Sequence, residues 1–310
     1  MRLATIDLGS NTVRLLVAEL EPGAARWRVV EADQRVTRLG EGVAATGRLG
    51  EAPAARTTAV VGEYVARARR AGVERLSIVA TSAVREAANG GEFVAALERA
   101  TGAPVTVVSG DEEAGLTLAG VLAGLHDGRP AVGTTLVFDI GGGSTEYVLA
   151  RDAARVAAVS LRLGVVDLAE RYPFPGLVDR ARLDAMRSEI SARLTADLPP
   201  AIRDARPTRL VGTAGTATTL AALDLALPSY DPVRVQGHVL ERGRIERLLE
   251  RLGGLTVLER AALPCLEPGR ADLIVAGTAI VLATLHLSGA DRLVVSDWGL
   301  REGVLIRLRG

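Results

Sequence analysis

Thr135-Leu-Val-Phe-Asp139-Ile-Gly141-Gly142-Gly143-Ser144-Thr145-Glu146 is an apolar strand that delivers one aspartate into three glycines and small hydroxyl residues, after which a strand resumes from Tyr147 to Ala150. A turn without bulky side chains lets several backbone N–H groups approach one anion, phosphate above all. The aspartate beside it is placed to hold a hard divalent cation, usually through waters, which offsets phosphate charge. The amino terminus repeats this order of parts in Ala4-Thr-Ile-Asp7-Leu-Gly9-Ser10-Asn11-Thr12, followed by a strand from Val13 to Leu20. Asp7 and Gly9 precede Asp139 and Gly141 by 132 residues each. Two such turns facing each other would grip a chain of phosphates from both sides.

The offset recurs. Ser77-Ile-Val-Ala-Thr81-Ser82-Ala83 and Leu210-Val-Gly-Thr213-Ala214-Gly215 both run from a strand into a small-residue turn that opens a helix, and Thr81 and Thr213 are again 132 apart. The expectation is an internal duplication, an α/β fold of two related lobes with a cleft between them, each lobe a β-hairpin followed by helix, strand, turn and helix. The polar breaker run His126-Asp-Gly-Arg-Pro130 puts the boundary at 127/128, giving a first lobe over 1–127 and a second over 128–310. A final helix over 299–310 is a candidate to rejoin the first lobe. Between the turns, helices are expected over 57–71, 93–100 and 183–198, strands over 27–37, 76–80 and 104–108, and a strand over 293–296 near the end.

Composition narrows the chemistry. At 310 residues with 48% hydrophobic content, the chain can bury two cores of about 150 residues each. Lys+Arg and Asp+Glu are each 37, so no global field draws nucleic acid or a membrane surface, and any polyanion must be held locally. Every basic side chain of this count is arginine, since no lysine occurs, which removes P-loop, Schiff-base and kinase-type lysines. The lone cysteine, Cys265, reads as a small buried hydrophobe in a reducing compartment. The start of the chain does not read as a signal peptide, and the apolar stretch 273–287 is shorter than the roughly 20 residues of a spanning helix. His126, His238 and His286 share no metal-ligand spacing.

Four places carry candidate chemistry. Ser109 and Glu112 have capping-box spacing at the start of a helix running to about Leu125, which gives Glu112 a structural task. Glu113, rotated about 100° away, lies off the apolar stripe and is expected to project into the cleft, where a carboxylate could deprotonate attacking water; equally, it could only complement the helix dipole. Arg85, after the Thr81 turn, could bind a terminal phosphate in bidentate fashion or be a solvated surface group. Glu146 could share a hydrated cation with Asp139 or alternate outward on its strand. Thr213 and Gly215 open a helix whose N–H groups could meet a phosphate, or they serve close helix–strand packing.

Taken together, Asp7-Leu-Gly-Ser-Asn-Thr12, Thr81-Ser-Ala-Val-Arg85-Glu-Ala87, Ser109-Gly-Asp-Glu-Glu113-Ala114, Asp139-Ile-Gly-Gly-Gly-Ser-Thr-Glu146, Gly212-Thr-Ala-Gly-Thr216 and Ser296-Asp-Trp-Gly-Leu-Arg301-Glu-Gly303 resemble the exopolyphosphatase and guanosine pentaphosphate phosphohydrolase family. That family lies in the superfamily of actin, sugar kinases and heat-shock ATPases, with ribonuclease H-like lobes. The resemblance implies that Glu113 is the catalytic base and Arg85 a phosphate-binding arginine. It implies that Asp139 is associated with magnesium, joined here by Glu146 and Asp7 as candidate ligands. Ser10, Asn11 and Thr12, with Gly141, Gly142, Gly143 and Ser144, match the phosphate-binding turns, and Thr213 and Gly215 extend the set. The expected activity is release of terminal orthophosphate from linear polyphosphate by water, with magnesium or another divalent cation, in the cytoplasm, without nucleic-acid or membrane partners; a homodimer is compatible with these features. Guanosine pentaphosphate is the nearest alternative substrate. A kinase of the same superfamily and a nucleotide-switched, actin-like scaffold are further alternatives.

Overall fold

Strict alternation builds the centre of the first sheet. In the computed structural model, which describes residues 1–20, 27–125 and 132–309, β1 (Arg2–Leu8) points Ala4, Ile6 and Leu8 to one face and Leu3, Thr5 and Asp7 to the other. Both faces are covered, so all of 3–8 is buried. β2 (Thr12–Glu19) and β3 (Arg28–Val36) continue the sheet antiparallel. Helix α1 (Glu51–Arg70) leads to β4 (Arg75–Ala80), which lies parallel to β1. The short α2 (Ser82–Glu86) and α3 (Gly90–Thr101) follow, then β5 (Val105–Val107) and α4 (Gly110–Leu125). The strand order is β3-β2-β1-β4-β5. Ile6 and Leu8 pack with Val61, Tyr64 and Leu97 of the helices on one face.

The second sheet repeats the plan. β6 (Thr134–Ile140), β7 (Thr145–Arg151) and β8 (Ala154–Leu161) form the antiparallel half, followed by α5 (Val165–Arg171) and α6 (Arg180–Asp197). β9 (Arg209–Thr213) lies parallel to β6 and feeds α7 (Ala214–Asp224). β10 (Val239–Glu241), α8 (Arg242–Gly253), α9 (Ile274–Ser288) and β11 (Arg292–Val295) complete it, and α10 (Leu300–Arg309) ends the described chain. The order β10-β11-β9-β6-β7-β8 contains the first sheet's order, with one strand added at the edge. The two lobes are therefore duplicated α/β units. Leu136, Phe138 and Ile140 face a large core with Met186, Ile190, Leu220 and Ile280.

Contacts divide the chain into Met1–Gly120 with Leu300–Gly310, and Val121–Gly299. The boundary run at 126–130 lies outside the described residues. Within the first unit, α10 covers the second face of β1: Leu305 packs with Leu3 and Leu16, and Val304 with Val79, Val108 and Leu116.

Three local readings differ from expectation. Helix α1 starts at Glu51 rather than 57, because Pro53 sits in its first turn, where a missing N–H costs nothing. Cys265 is half-buried with a left-handed backbone (φ 64°), and its thiol donates to the Leu227 carbonyl at 3.2 Å. The Thr81 and Thr213 turns are not in matching register: Asp7 pairs with Val79, whereas Asp139 pairs with Thr213 itself. The hairpins do match, since Asp7 lies opposite Arg14 and Asp139 opposite Glu146. No helix among the described residues is long and apolar enough to cross a membrane.

Candidate active site

The first turn is held from behind by its carbonyls. Gly40 N–H donates to the Ser10 carbonyl at 2.7 Å, and the N–H groups of Thr37 and Arg38 both donate to the Asn11 carbonyl at 3.0 Å. Gly9 N–H closes the turn onto the Thr12 carbonyl at 3.1 Å. Asp7 stands on the face of β1 that α10 covers and is 6% exposed, and its Oδ1 has no hydrogen-bond partner. Burial pushes its carboxyl pKa up; Arg14 and then Arg301 oppose the rise, and Glu302 adds to it. The Asn11 Oδ1 is likewise buried without a donor, while its Nδ2 donates weakly to Thr12 Oγ1 at 3.4 Å.

The second turn uses the same device with different parts. Gly141 N–H closes onto the Ser144 carbonyl at 2.8 Å. The first N–H groups of α5, from Val165 and Val166, donate to the carbonyls of Gly141 and Gly142 at 3.1 and 2.9 Å. With its carbonyls engaged there, the turn keeps the N–H groups of Gly142 and Gly143, which donate to no acceptor among the described residues. This is an anion cradle in the sense of successive unengaged amides. Gly164 permits the approach, because a Cβ there would lie 2.1 Å from the Gly142 oxygen. Asp139 is half-buried and cross-strand to Glu146, so the two carboxylates share a face. Glu146 does not turn outward: it is 1% exposed, and its Oε1 accepts from Ser144 Oγ at 2.7 Å and Ser160 Oγ at 2.6 Å.

Back in the first unit, the capping box at the start of α4 forms as expected. Ser109 N–H donates to Glu112 at 3.0 Å and Glu112 N–H to Ser109 Oγ at 3.2 Å, and these bonds hold the Glu112 pKa down. Glu113 does not project alone. It is buried, and Arg85 Nη1 donates to its Oε2 at 2.9 Å and to the Val108 carbonyl at 2.9 Å. Arg85 comes from the last turn of α2 rather than from a helix start. Its Nε and Nη2 make no hydrogen bond among the described residues, which leaves one edge of the guanidinium for an anion.

The pattern described as the Ppx/GppA phosphatase family matches residues 16–309. The chain belongs to the Ppx/GppA phosphatase family. It is similar to Exopolyphosphatase 2 of Mycobacterium tuberculosis, 36% identical and spanning 100% of this chain and 99% of that protein. Among solved structures it is similar to the Aquifex aeolicus family member, with TM-score 0.82, 35% identity, and 100% and 97% of the two chains covered. An exopolyphosphatase from Cytophaga hutchinsonii aligns at TM-score 0.90 and 25% identity over 99% and 97%.

Of the candidate residues, the first unit brings together Arg85 and Glu113 as a contacting pair, and Ser10, Asn11, Thr12 and Asp7 as one turn. The second unit brings together Asp139, Gly141 to Ser144 and Glu146. Thr213 caps α7 with its backbone, but its hydroxyl donates to the Trp298 carbonyl at 3.1 Å. Two arginines escaped sequence reasoning. Arg14 lies opposite Asp7, at the position that Glu146 occupies in the second copy, so the 132-residue offset could have found it. Arg270 lies over Gly215 so closely that a Cβ there would be 1.5 Å from its Nη1; nothing in the local sequence signals this.

The residues fit a hydrated divalent cation better than a caged one. Among the described residues no three His, Cys, Asp or Glu side chains form a metal cluster. Each turn offers one or two carboxylates, Asp7 with its orphaned, buried oxygen in the first and the Asp139–Glu146 pair in the second, which is the donor number magnesium accepts while it keeps several waters.

Proposed function

We propose that this Ppx/GppA family member is a phosphoric anhydride hydrolase that releases terminal orthophosphate from linear polyphosphate in the cytoplasm. Support comes from the exopolyphosphatase relatives and, most directly, from the part-buried Arg85–Glu113 contact at 2.9 Å. Water attacks the terminal phosphorus, its proton passes to Glu113, and the anhydride P–O bond breaks. Orthophosphate leaves, and the chain, one phosphate shorter, carries the leaving oxygen. Arg85 plays two parts: Nη1 fixes the Glu113 carboxylate, while Nη2 and Nε take oxygens of the phosphoryl group, whose charge spreads over its equatorial oxygens in the transition state. The amides of the Gly141–Ser144 and Ser10–Thr12 turns bind phosphate oxygens. Asp7 in the first unit and the Asp139–Glu146 pair in the second are, each for its own turn, the candidate magnesium ligands, and the metal would neutralise phosphate charge.

Glu113→Gln, with nearly the same shape, is expected to lower the rate of orthophosphate release from polyphosphate by about 100-fold or more. Thermal melts should stay cooperative. Release near the wild-type rate would remove Glu113 from the role of base. Guanosine pentaphosphate offers the same terminal phosphoryl group, and running both substrates in parallel assigns the preference.

A further inference from the structure

Three helices of the second unit line an open cavity of about 280 Å³ at the surface, where Arg187, Ser191, Glu246 and His286 are exposed. Helix α6 lines it with Arg187 and Ser191, and α8 with Arg242 and Glu246, each pair four residues apart and so on one helix face. Helix α9 supplies Ala279, Leu282, Ala283 and His286, a single stripe at helical spacing. Its small residues leave the gap that larger side chains would fill, and they give the cavity an apolar floor.

Some arginines of the unit find carboxylates: Arg171 pairs with Asp167 and Glu189, and Arg244 with Asp224. Around this cavity, Arg187, His286, Glu246 and Ser191 make no side-chain hydrogen bond or ion pair among the described residues. Arg187 and Glu246 carry opposite charges, line the same space and do not bridge it. Arg242 is anchored by Nη2, which donates to the Ala290 carbonyl at 2.7 Å and meets Asp291 at 3.1 Å, yet its Nε is buried and donates to nothing. A buried donor left without an acceptor is costly, so such a group usually has a use.

We propose that this cavity is a second anion site, which binds a small phosphate-bearing molecule. Two guanidinium groups line it against a single carboxylate, and guanidinium groups match phosphate oxygens in bidentate geometry. Ala279, Leu282 and Ala283 would receive an organic part of the ligand. The phosphate group is common to two sources, orthophosphate itself and a small phosphomonoester.

The test follows the His286 imidazole resonances by NMR in the full-length protein while inorganic phosphate or glycerol 3-phosphate is added. Neither probe contains an anhydride bond, so the readout is independent of hydrolysis. Saturable shifts with a Kd near or below about 1 mM are expected, and Arg187→Ala should weaken binding by about tenfold without changing polyphosphate hydrolysis. Tighter binding of glycerol 3-phosphate assigns the site to a phosphomonoester, and equal binding assigns it to orthophosphate. Absence of saturable shifts up to about 10 mM, shifts that sodium chloride reproduces, or equal affinity in Arg187→Ala would overturn the proposal.

Discussion

The Asp7 and Asp139 turns share a backbone and differ in charge. Both close with a glycine N–H onto a hydroxyl residue's carbonyl three positions on, and both are tied from behind through their own carbonyls, by Thr37 to Gly40 in one case and by the start of α5 in the other. Opposite the aspartate, however, stands Arg14 in the first and Glu146 in the second. One copy sets a cation of its own across from its carboxylate, which partly offsets the effect of burial. The other doubles the negative charge and steadies it with two serine hydroxyls. After duplication the main chain kept the turn, which depends on backbone geometry alone, while the side chains opposite the aspartate diverged in charge. The second turn is the stronger candidate to need an external cation.

Breaking the shared backbone should have the largest effect. Gly164→Ala would set a methyl group 2.1 Å from the Gly142 oxygen and 2.4 Å from the Gly143 carbonyl carbon, so the cradle must move. A loss of about 100-fold in polyphosphate hydrolysis is expected, with destabilisation of about 3 kcal/mol in urea unfolding. The matching change in the first turn, Gly40→Ala, meets the Ser10 Cβ at 2.9 Å and its oxygen at 3.2 Å, and should cost clearly less. Equal effects would mean that the two turns are not held in the graded way their contacts indicate.

The charge difference is tested by Asp7→Asn against Asp139→Asn. Burial raises the Asp7 pKa in the folded state, so that state binds the proton more tightly than the unfolded chain does. The resulting stability is full below the unfolded pKa and is lost as pH rises through the folded one. Asparagine does not titrate. Without divalent cation, Asp7→Asn should therefore gain on wild type as pH rises through that window, by on the order of 2 °C in Tm at neutral pH, while hydrolysis falls by about tenfold. Asp139→Asn, at a half-exposed position, should lose activity without the gain in Tm. Millimolar magnesium should narrow the Asp7 difference, since a cation that binds only the folded carboxylate stabilises wild type. A pH-independent Tm difference would contradict the burial argument.

What could be read from the sequence was whatever is decided within a few residues. The two turns, the hairpins and the Ser109–Glu112 capping box depend on short spacings, and those spacings are written in the chain. The surroundings of Glu113 were not, because its partner Arg85 lies 28 residues away on another helix. Glu146 is buried because β8 places Ser160 beside it, which strand alternation alone does not reveal. The position of Arg270 over Gly215 depends on how a distant segment returns to the start of α7. A numerical repeat was informative only where the strand pairing preserved it: the offset held for Asp7 and Asp139 but slid for Thr81 and Thr213, since parallel neighbours joined through a helix need not keep register.

The smallest expected effect concerns the serines around Glu146. Ser144→Ala deletes a 2.7 Å bond to a carboxylate but leaves Ser160 on the same oxygen at 2.6 Å, so a loss of about 1 kcal/mol and a few-fold drop in hydrolysis are expected. Ser144→Ala with Ser160→Ala should cost more than the sum of the single changes, because it takes both hydroxyl donors from one buried oxygen. In the first turn, Thr12→Val deletes the hydroxyl that accepts the long 3.4 Å Asn11 bond, a weaker bond than either serine bond to Glu146, and should cost less than the double serine change. Additive serine effects in urea unfolding would mean that Glu146 draws its stabilisation from its other neighbours. The contrast between the turns would then lie in the carboxylate pair alone.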